Sequence, residues 1–308
     1  MDRFEAMRTL LAAVDGGSLS AASRSMSVPL PTVSRRVSDL EAQLGTQLVV
    51  RTSRKLILTE AGAAYVAAVR QVIEQLGEAE RAASGEYRAP RGVLAVTAPI
   101  MFGKLYVAPI VHNFLSAYPE VGGRLILSDG IIDVIEAHID VAVRIGDLPD
   151  SSLVARRIGE VRWVTCASPD YLKRRGAPAT PADLLEHDCI AFEGLELWRD
   201  WTFMGPKGPQ TVIIRPRFSV NTGDAVIAAA SAGVGIAFVT TYQAADAVAG
   251  GRLVPVLREN APDPVPVHLV HARHAIQPLK QRAFMDFVPP RLKLVLDGIS
   301  AAFGEVAG

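Results

Sequence analysis

Hydrophobic positions in the first sixty residues recur at helical spacing in three short segments. Gly16 follows the first segment and Gly45 follows the third, where a glycine would end a helix. Side chains that can cap a helix precede the first two segments. The pattern therefore predicts three helices, which begin at Asp2, at Ser18 or Ser20, and near Leu30.

The third predicted helix has two different faces. Its aliphatic residues are spaced by four, three and four positions and would point inward; they are Val33, Val37, Leu40 and Leu44. The opposite face carries hydroxyls and an arginine that could reach bases and phosphates; these residues are Thr32, Ser34, Arg35 and Ser38. Such a face suits a DNA groove, although a solvated helix face is the commoner meaning of the pattern alone.

A basic hairpin and a long helix follow. Residues 48–59 alternate as two short strands around a turn that holds Arg51, Arg54 and Lys55, which suits phosphate or minor-groove contact. Thr59 then caps a predicted helix over 60–88, whose apolar residues alternate by four and three like a coiled-coil seam. Because a long exposed seam needs a partner, we expect a dimer.

Beyond residue 89, strand and helix patterns alternate, which predicts mainly parallel α/β sheets. The clearest strands are 92–99, 124–129 and 140–146, with helices predicted over 102–119 and 132–139. A second set of strands begins near residue 161, and a final helix ends the chain.

Length and composition limit the class of protein. A chain of 308 residues suggests two or three domains, and 49% hydrophobic residues indicate a folded globular protein. No apolar run could span a membrane and the N-terminus is an amphipathic helix, so we expect a cytoplasmic protein. Net charge is zero, but residues 1–59 carry eight basic and five acidic side chains. This surplus lies where DNA contact is expected.

The cysteines and histidines suggest no catalytic or metal chemistry. Cys166 and Cys189 fit neither a CxxC motif nor a metal-ligand spacing, so we expect small buried hydrophobes, with a redox pair left open. The six histidines are scattered. We predict no catalytic residue, no metal and no cofactor.

The chain resembles a LysR-type transcriptional regulator. The resemblance is carried by SLSAASRSM (18–26), by the segment from PTVSRRV to LTEAG (31–62), by the linker helix and by TAPIMFG (97–103), RIGDLPDSSLVARRIG (144–159), ASPDYLKRRGAP (167–178), TPADLLEHDCI (180–190) and SAGVGIAF (231–238).

The resemblance implies an α/β protein in three parts. These are an N-terminal winged helix-turn-helix over 1–59, a long linker helix over 60–88, and a two-lobed effector-binding domain over 89–308 that is like a periplasmic binding protein. Lobe I would comprise 91–161 and 267–308, and lobe II would comprise 162–266.

Residues that match the family's DNA contacts can be identified one by one. The recognition-helix matches are Pro31, Thr32, Ser34 and Arg35, and the wing matches are Arg51 and Arg54. The chain departs from the family at Pro29 and Leu30, where polar residues are usual. Pro29 cannot cap with a side-chain oxygen, and Leu30 cannot hydrogen-bond a base. Base specificity would then depend on Thr32 and Arg35, or on a thymine methyl meeting Leu30.

The cleft between the two lobes is the expected effector site, because ligands bind α/β lobes at the carboxyl ends of strands. Four residues follow the first strand there, where free N–H groups favour an anion; they are Pro99, Ile100, Met101 and Phe102. Arg144 ends another strand and could pair with a carboxylate, with an ion pair to Asp129 or Asp147 as the structural alternative.

Lobe II contributes further candidates. The resemblance places Phe192 and residues 221–224, including Thr222 and Asp224, toward the cleft. Gly235, like Gly233, would allow close approach of a ligand or of a packed element. Met101 stands where related sequences commonly have Ser or Thr, which indicates a more apolar or bulkier effector, or simply core filling.

Taken together, the residues predict a regulator that binds double-stranded DNA as a homodimer or homotetramer. A small-molecule effector, with carboxylates as one candidate class, would control it. A constitutive repressor without ligand sensing is the alternative. An enzyme is disfavoured because the chain has no nucleophile elbow, HExxH, P-loop or complete GxGxxG after a strand. The DNA-binding pattern and the missing leader disfavour a solute-binding protein.

Overall fold

The computed structural model describes residues 2–51, 56–83, 89–149, 152–193, 199–273 and 277–305. The chain divides into two units, residues 1–88 and 89–308. Among the described residues, no helix has both the length and the apolarity to cross a membrane.

The first unit is a small helical core with a two-stranded antiparallel wing. Leu10, Val37, Leu40 and Leu48 form the centre of its core and are almost fully buried. Its elements are α1 (Arg3–Asp15), α2 (Leu19–Met26), α3 (Leu30–Leu44), β1 (Val49–Arg51), β2 (Leu56–Leu58) and α4 (Glu60–Ala83).

Side-chain caps fix the ends of these helices as the sequence predicts. Asp2 accepts hydrogen bonds from the first-turn amides of α1, and Ser18, rather than Ser20, caps α2. The Thr59 hydroxyl accepts from the Gly62 amide at 2.9 Å and so begins α4. Gly45 ends α3 in the left-handed region, with φ of 65°.

The apolar seam of α4 divides between two environments. Val69 is buried within the first unit, whereas Val72 and Leu76 are 50% and 39% exposed. Residues 84–88, the remainder of the predicted linker helix, lie outside the described residues.

The first sheet of the second unit has the strand order β4–β3–β5–β14–β6. β3 pairs in parallel with β4 and β5, whereas β14 pairs antiparallel with β5 and β6. The elements of this lobe are β3 (Gly92–Ala98), α5 (Ile100–Phe102), α6 (Ala108–Ala117), β4 (Val121–Leu127), β5 (Val141–Ile145), β6 (Val154–Val161), β14 (Val265–His271) and α10 (Leu279–Glu305).

The second sheet has the order β11–β8–β12–β7–β13. Between β8 and β11 the chain forms a separate two-stranded hairpin, β9 and β10. The elements of this lobe are β7 (Trp163–Ala167), α7 (Pro169–Arg175), β8 (Cys189–Phe192), β9 (Asp200–Gly205), β10 (Gly208–Ile213), β11 (Pro216–Val220), α8 (Gly223–Ser231), β12 (Ile236–Thr240), α9 (Thr241–Ala249) and β13 (Val254–Val256).

The expectation of mainly parallel sheets is wrong, because both sheets are mixed. The chain passes between the sheets twice, after β6 and again before β14. A strand that the chain enters directly from the other lobe is not tied to a neighbour by a helical crossover, so it can pair antiparallel. β14 and β7 are the strands that do so.

The helix predicted over 132–139 is also wrong. This segment forms a single hydrogen-bonded turn, which Asp133 caps by accepting from the Ile135 and Glu136 amides. His138 has φ of 52°, and the next amide bonds back to the Val134 carbonyl, so the turn cannot continue as a helix.

The helix predicted over 102–119 contains a wide turn. A π-helical segment, Gly103–Val107, separates α5 from α6. Pro109 near the start of α6 has no N–H to donate, and its ring would crowd the carbonyl four residues earlier in a regular α-helix. The wider turn ahead of it relieves that conflict.

Candidate functional site

The outer face of α3 displays the side chains predicted to contact DNA. Val33 and Val37 are fully buried beneath it, whereas Pro31, Arg35 and Ser38 are exposed. Thr32 and Ser34 are half-buried at the edges of the same face. The fold therefore brings all five α3 candidates to one surface, as their helical spacing predicts.

Adjacent arginines of α3 have different environments. Arg36 contacts α1, with Nη1 lying 3.2 Å from Glu5 Oε2 and 3.4 Å from Thr9 Oγ1. Arg35 is exposed, and within the described parts of the chain its guanidinium forms no ion pair or hydrogen bond. Arg36 thus fixes α3 to the core, and Arg35 is available to a partner.

The beginning of α3 is apolar, as the departures at Pro29 and Leu30 predict. Pro29 occupies the N-cap position without a side-chain hydrogen bond, and its carbonyl accepts from the Thr32 and Val33 amides. Leu30 is 42% exposed. The first turn therefore offers van der Waals contact, and the hydrogen-bonding groups begin at Thr32.

The wing is anchored to α3 through its backbone. Glu41 Oε1 accepts from the Leu48 and Val49 amides at 2.8 and 3.0 Å. β1 and β2 pair antiparallel, with Val50 opposite Ile57. Arg54 lies outside the described residues, as does the side chain of Arg51, so the predicted wing contacts remain a prediction.

The amide expected to bind an anion after β3 is already occupied. Ile100 N–H donates to Asp129 Oδ1 at 3.0 Å, so the protein's own carboxylate lies at the start of α5. The expectation of a free amide at Ile100 is therefore wrong. Asp129 lies two residues after the end of β4, whose carboxyl end lies beside that of the parallel β3, and this proximity brings the two groups together.

Phe102 is a structural residue, which corrects its assignment to the effector site. It is fully buried and packs against Tyr106 and Tyr242, with ring centroids 5.4 and 5.0 Å away. Tyr242 belongs to α9 of the second lobe, yet its ring is buried in the core of the first lobe. Phe102 therefore helps to join the lobes and cannot touch a ligand in the cleft.

Met101 does reach the second lobe. A Cβ placed on Gly223, at the start of α8, would lie 3.4 Å from Met101 Sδ. Asp224 is exposed beside it, and a hydrogen bond from the Thr222 side chain is the main cause that lowers the pKa of Asp224. The structure thus brings together Met101, Thr222 and Asp224, with Pro99 and Ile100 half-buried nearby in sequence.

Asp129 has an unusual environment for a carboxylate. Burial raises its pKa above the ordinary value of 3.8, the Ile100 amide opposes that shift, and the charge of Asp224 adds to it. Its second oxygen, Oδ2, is buried and has no hydrogen-bond partner among the described residues. The first-lobe wall of the cleft is therefore acidic and incompletely hydrogen-bonded.

These pKa directions predict opposite effects of two isosteric substitutions. Because the pKa of Asp129 is raised on folding, its ionisation costs stability, and this cost is absent at low pH and grows as the pH rises through the folded pKa. Asp129→Asn should therefore raise the thermal midpoint by a few degrees at about pH 7 and leave it unchanged near pH 3.

Asp224→Asn is the matched control. The pKa of Asp224 is lowered on folding, so its ionised form stabilises the fold at pH values above the ordinary pKa of an aspartate. Asp224→Asn should therefore lower the thermal midpoint at about pH 7. Thermal unfolding across this pH range measures both effects. An unchanged midpoint for Asp129→Asn at neutral pH would contradict the assigned environment.

Arg144 lies at the end of β5, as predicted, but forms neither of the ion pairs considered for it. Its guanidinium donates to the Ile132 carbonyl, and burial lowers its pKa. Among the described residues, neither Asp129 nor Asp147 is paired with it. Arg144 is thus a partly desolvated cation held by a neutral acceptor.

Two lobe II candidates make structural contacts. Phe192 is 8% exposed and packs in the lobe II core beneath the carboxyl end of β8. Gly235 precedes β12, and a Cβ there would lie 2.4 Å from the Asp188 carbonyl oxygen. Since β8 and β12 are parallel, Gly235 lies at the opposite end of the sheet from Phe192. Its close contact is with a neighbouring strand, which corrects the effector assignment.

Sequence reasoning missed the bridging role of Tyr242 and the role of Asp129 as the acceptor at α5. Asp129 could have been found, because it is the last residue of the strand predicted over 124–129, which ends in the predicted cleft. Tyr242 carries no comparable signal, since its contact with Phe102 spans 140 positions of the chain.

The two cysteines are buried, and neither forms a disulfide. Burial raises the pKa of both thiols to about 12, so neither is a thiolate near neutral pH. Their environments therefore favour the structural interpretation over redox chemistry.

Both units match known families. Residues 4–63 match the model of the bacterial regulatory helix-turn-helix protein, lysR family, and residues 88–293 match the LysR substrate binding domain. The HTH-type transcriptional regulator CrgA of Neisseria meningitidis is 31% identical over 289 residues, which cover 94% of this chain and 96% of CrgA. An HTH-type transcriptional regulator of Xanthomonas campestris is 34% identical over 292 residues, which cover 94% of this chain and 85% of that regulator.

Solved structures agree with these matches. CrgA superposes with a TM-score of 0.61 at 31% identity, over 94% of this chain and 98% of that one. The full-length virulence activator AphB of Vibrio cholerae gives a TM-score of 0.60 at 29% identity, over 92% of this chain and 97% of AphB. The chain belongs to the LysR family of DNA-binding transcriptional regulators with an effector-binding domain.

Proposed function

We propose that this regulator reads a two-half-site operator through the outer face of α3 and responds to a small molecule held between the lobes of its second unit. The observation that carries the DNA contact is the difference between Arg35 and Arg36. An exposed arginine that no described residue pairs with, on a helix that its neighbour fixes to the core, is suited to bases or phosphates.

We propose further that α4 supplies the contact between subunits. Val72 and Leu76 continue its apolar seam beyond the part that packs on the first unit, and both are substantially exposed. A symmetric pair would place two α3 helices on two half-sites. The assembly proposed is a homodimer or a homotetramer, with 1–59 as the reading module, 60–88 as the linker and 89–308 as the sensing domain.

The proposed effector has an apolar body against Met101 and polar groups at both ends of the cleft. Arg144 would attract a carboxylate, and partial desolvation strengthens that attraction. Asp129 would accept from a hydrogen-bond donor once the effector reaches its unpartnered oxygen. An effector shifts DNA binding only if it prefers one arrangement of the lobes.

DNA binding is tested by fluorescence anisotropy on the intergenic DNA upstream of the gene. We expect the affinity to fall steeply with salt, by about tenfold or more between 50 and 200 mM, and to exceed that for shuffled DNA by at least about a hundredfold. Equal affinity for the two sequences would contradict operator reading.

Effector binding is tested by a thermal-shift screen of small carboxylates and their neutral analogues. A compound at a hundred times its Kd should stabilise the protein by about 2.7 kcal/mol. Arg144→Ala should then weaken a bound carboxylate about tenfold or more and its neutral analogue much less. Equal losses would contradict the ion pair, and a screen without any stabilising compound would favour a constitutive repressor.

A further inference from the structure

A cavity lies on the β7–β13 side of the second sheet, and none of the residues assigned to the inter-lobe cleft lines it. Its volume is about 430 Å³, within the range of small-molecule sites. The wall comes from both lobes, because Ser300 and Phe303 of α10 face residues of β7, β12 and β13 across it.

One wall of this cavity is a fixed aromatic surface. Trp163 and Phe238 both line it, and their rings stack 4.8 Å apart with an interplanar angle of 10°. Trp201 and Phe203 support Phe238, with centroids 5.4 and 5.2 Å away. Rings held from two sides lose little freedom when a flat ligand packs beside them.

The polar groups of the cavity suit an anion. Thr165 is 4% exposed and lines the cavity, and its hydroxyl forms no hydrogen bond to any described residue. Arg162 is exposed at the edge, and its guanidinium forms no ion pair within the described chain. Arg258 also lines the cavity, whereas no aspartate or glutamate of the described chain does.

We infer that this cavity is a second small-molecule site, which binds flat aromatic anions such as arene carboxylates. The ring packs beside Trp163 and Phe238, the carboxylate faces Arg162, and the Thr165 hydroxyl gains the hydrogen-bond partner that the described residues do not give it. Neither the Thr165 hydroxyl nor the Arg162 guanidinium has a side-chain partner in the described part of the chain, and each gains a hydrogen bond when such a ligand binds beside the apolar wall.

The site also couples the two lobes. α10 packs along the core of the first lobe, and Phe303 near its end contacts the cores of both lobes. A ligand between Phe303 and the second sheet therefore contacts both lobes. It favours the relative position of the lobes in which the two walls of the cavity fit it best. This inference does not depend on the identity of the effector in the inter-lobe cleft.

The test titrates 1-naphthoate and neutral 1-naphthamide into the full chain by calorimetry. Arg162→Gln should weaken 1-naphthoate about tenfold and change 1-naphthamide little. Ser300→Trp, a change on an exposed helix position, should fill the cavity and abolish binding of both probes. Arg217→Gln, which alters an exposed second-lobe arginine paired with Asp188, is the matched control and should bind both normally.

Thr165→Val, which removes the hydroxyl at constant shape, should weaken 1-naphthoate without lowering the thermal midpoint. The inference is wrong if the wild-type chain binds neither probe at millimolar concentration. It is equally wrong if Ser300→Trp binds 1-naphthoate normally while Arg144→Ala does not, since the probe would then occupy the inter-lobe cleft.

Discussion

Replacing Gly62 with alanine is expected to destabilise the DNA-binding unit by at least about 3 kcal/mol. A Cβ at this position would lie 1.9 Å from the Leu48 carbonyl oxygen and 2.8 Å from its carbon. Neither atom can rotate away, because both belong to the backbone. The Leu48 oxygen is also held by the Thr59 amide at 3.0 Å, and the Leu48 amide by Glu41.

Relief of the clash would have to separate α4 from the segment that leads into β1. This movement would disturb the wing and the cap of α4 together, so we expect specific DNA binding to be lost as well. Calorimetric unfolding of the full chain should show the transition of the first unit lowered by about 15 °C.

Gly298→Ala is the matched control. Gly298 lies within α10, and a Cβ there would have no atom of the described structure within 4 Å. Alanine should therefore stabilise the helix, by about 0.5–1 kcal/mol. A Gly62→Ala protein that unfolds at the wild-type temperature would show that α4 and the wing are not packed as described.

Arg35→Ala is expected to weaken operator binding by about tenfold to a hundredfold and to relax the sequence preference. The side chain is exposed, and its guanidinium has no partner among the described residues, so the fold should lose nothing measurable. Anisotropy titrations against the upstream DNA and against shuffled DNA measure the affinity and the preference separately.

Arg36→Ala provides the contrast on the next residue. It removes the contacts with Glu5 and Thr9, so it should lower the thermal midpoint of the first unit. At a temperature where the variant is folded, its preference for the operator should persist. If Arg35→Ala keeps both affinity and preference, α3 does not read DNA through this face.

Local signals predicted the first unit well. Helix spacing, cap residues and the glycine after α3 are effects of short range, and α1, α2, α3 and the wing lie where the pattern places them. The same is true of the division of α3 into a buried and an outer face. Helical spacing placed Arg35 on the outer face, but only the tertiary structure shows that Glu5 of α1 holds the adjacent Arg36.

The effector cleft was harder to predict, because its groups come from distant parts of the chain. The predicted strand ends and the family resemblance together led to the assignment of Met101, Arg144 and Asp224 to the cleft. Whether an amide is free depends on what packs against it, and Asp129 had already bonded to Ile100. Phe102 and Gly235 were assigned to the effector site because the sequence does not show that Phe102 is buried or at which end of the sheet Gly235 lies. Burial and strand direction depend on the tertiary structure.

The sequence by itself determined the family, the helices and wing of the first unit and the division of α3 into two faces, because these depend on spacing, capping and specific motifs over tens of residues. Tertiary structure decided the mixed sheets, the aromatic bridge from Tyr242 to Phe102 and the neighbours of each charged group. These features arise where the chain passes twice between two sheets and buries side chains from one lobe in the other. Their energies depend on distance and desolvation, which no linear pattern records.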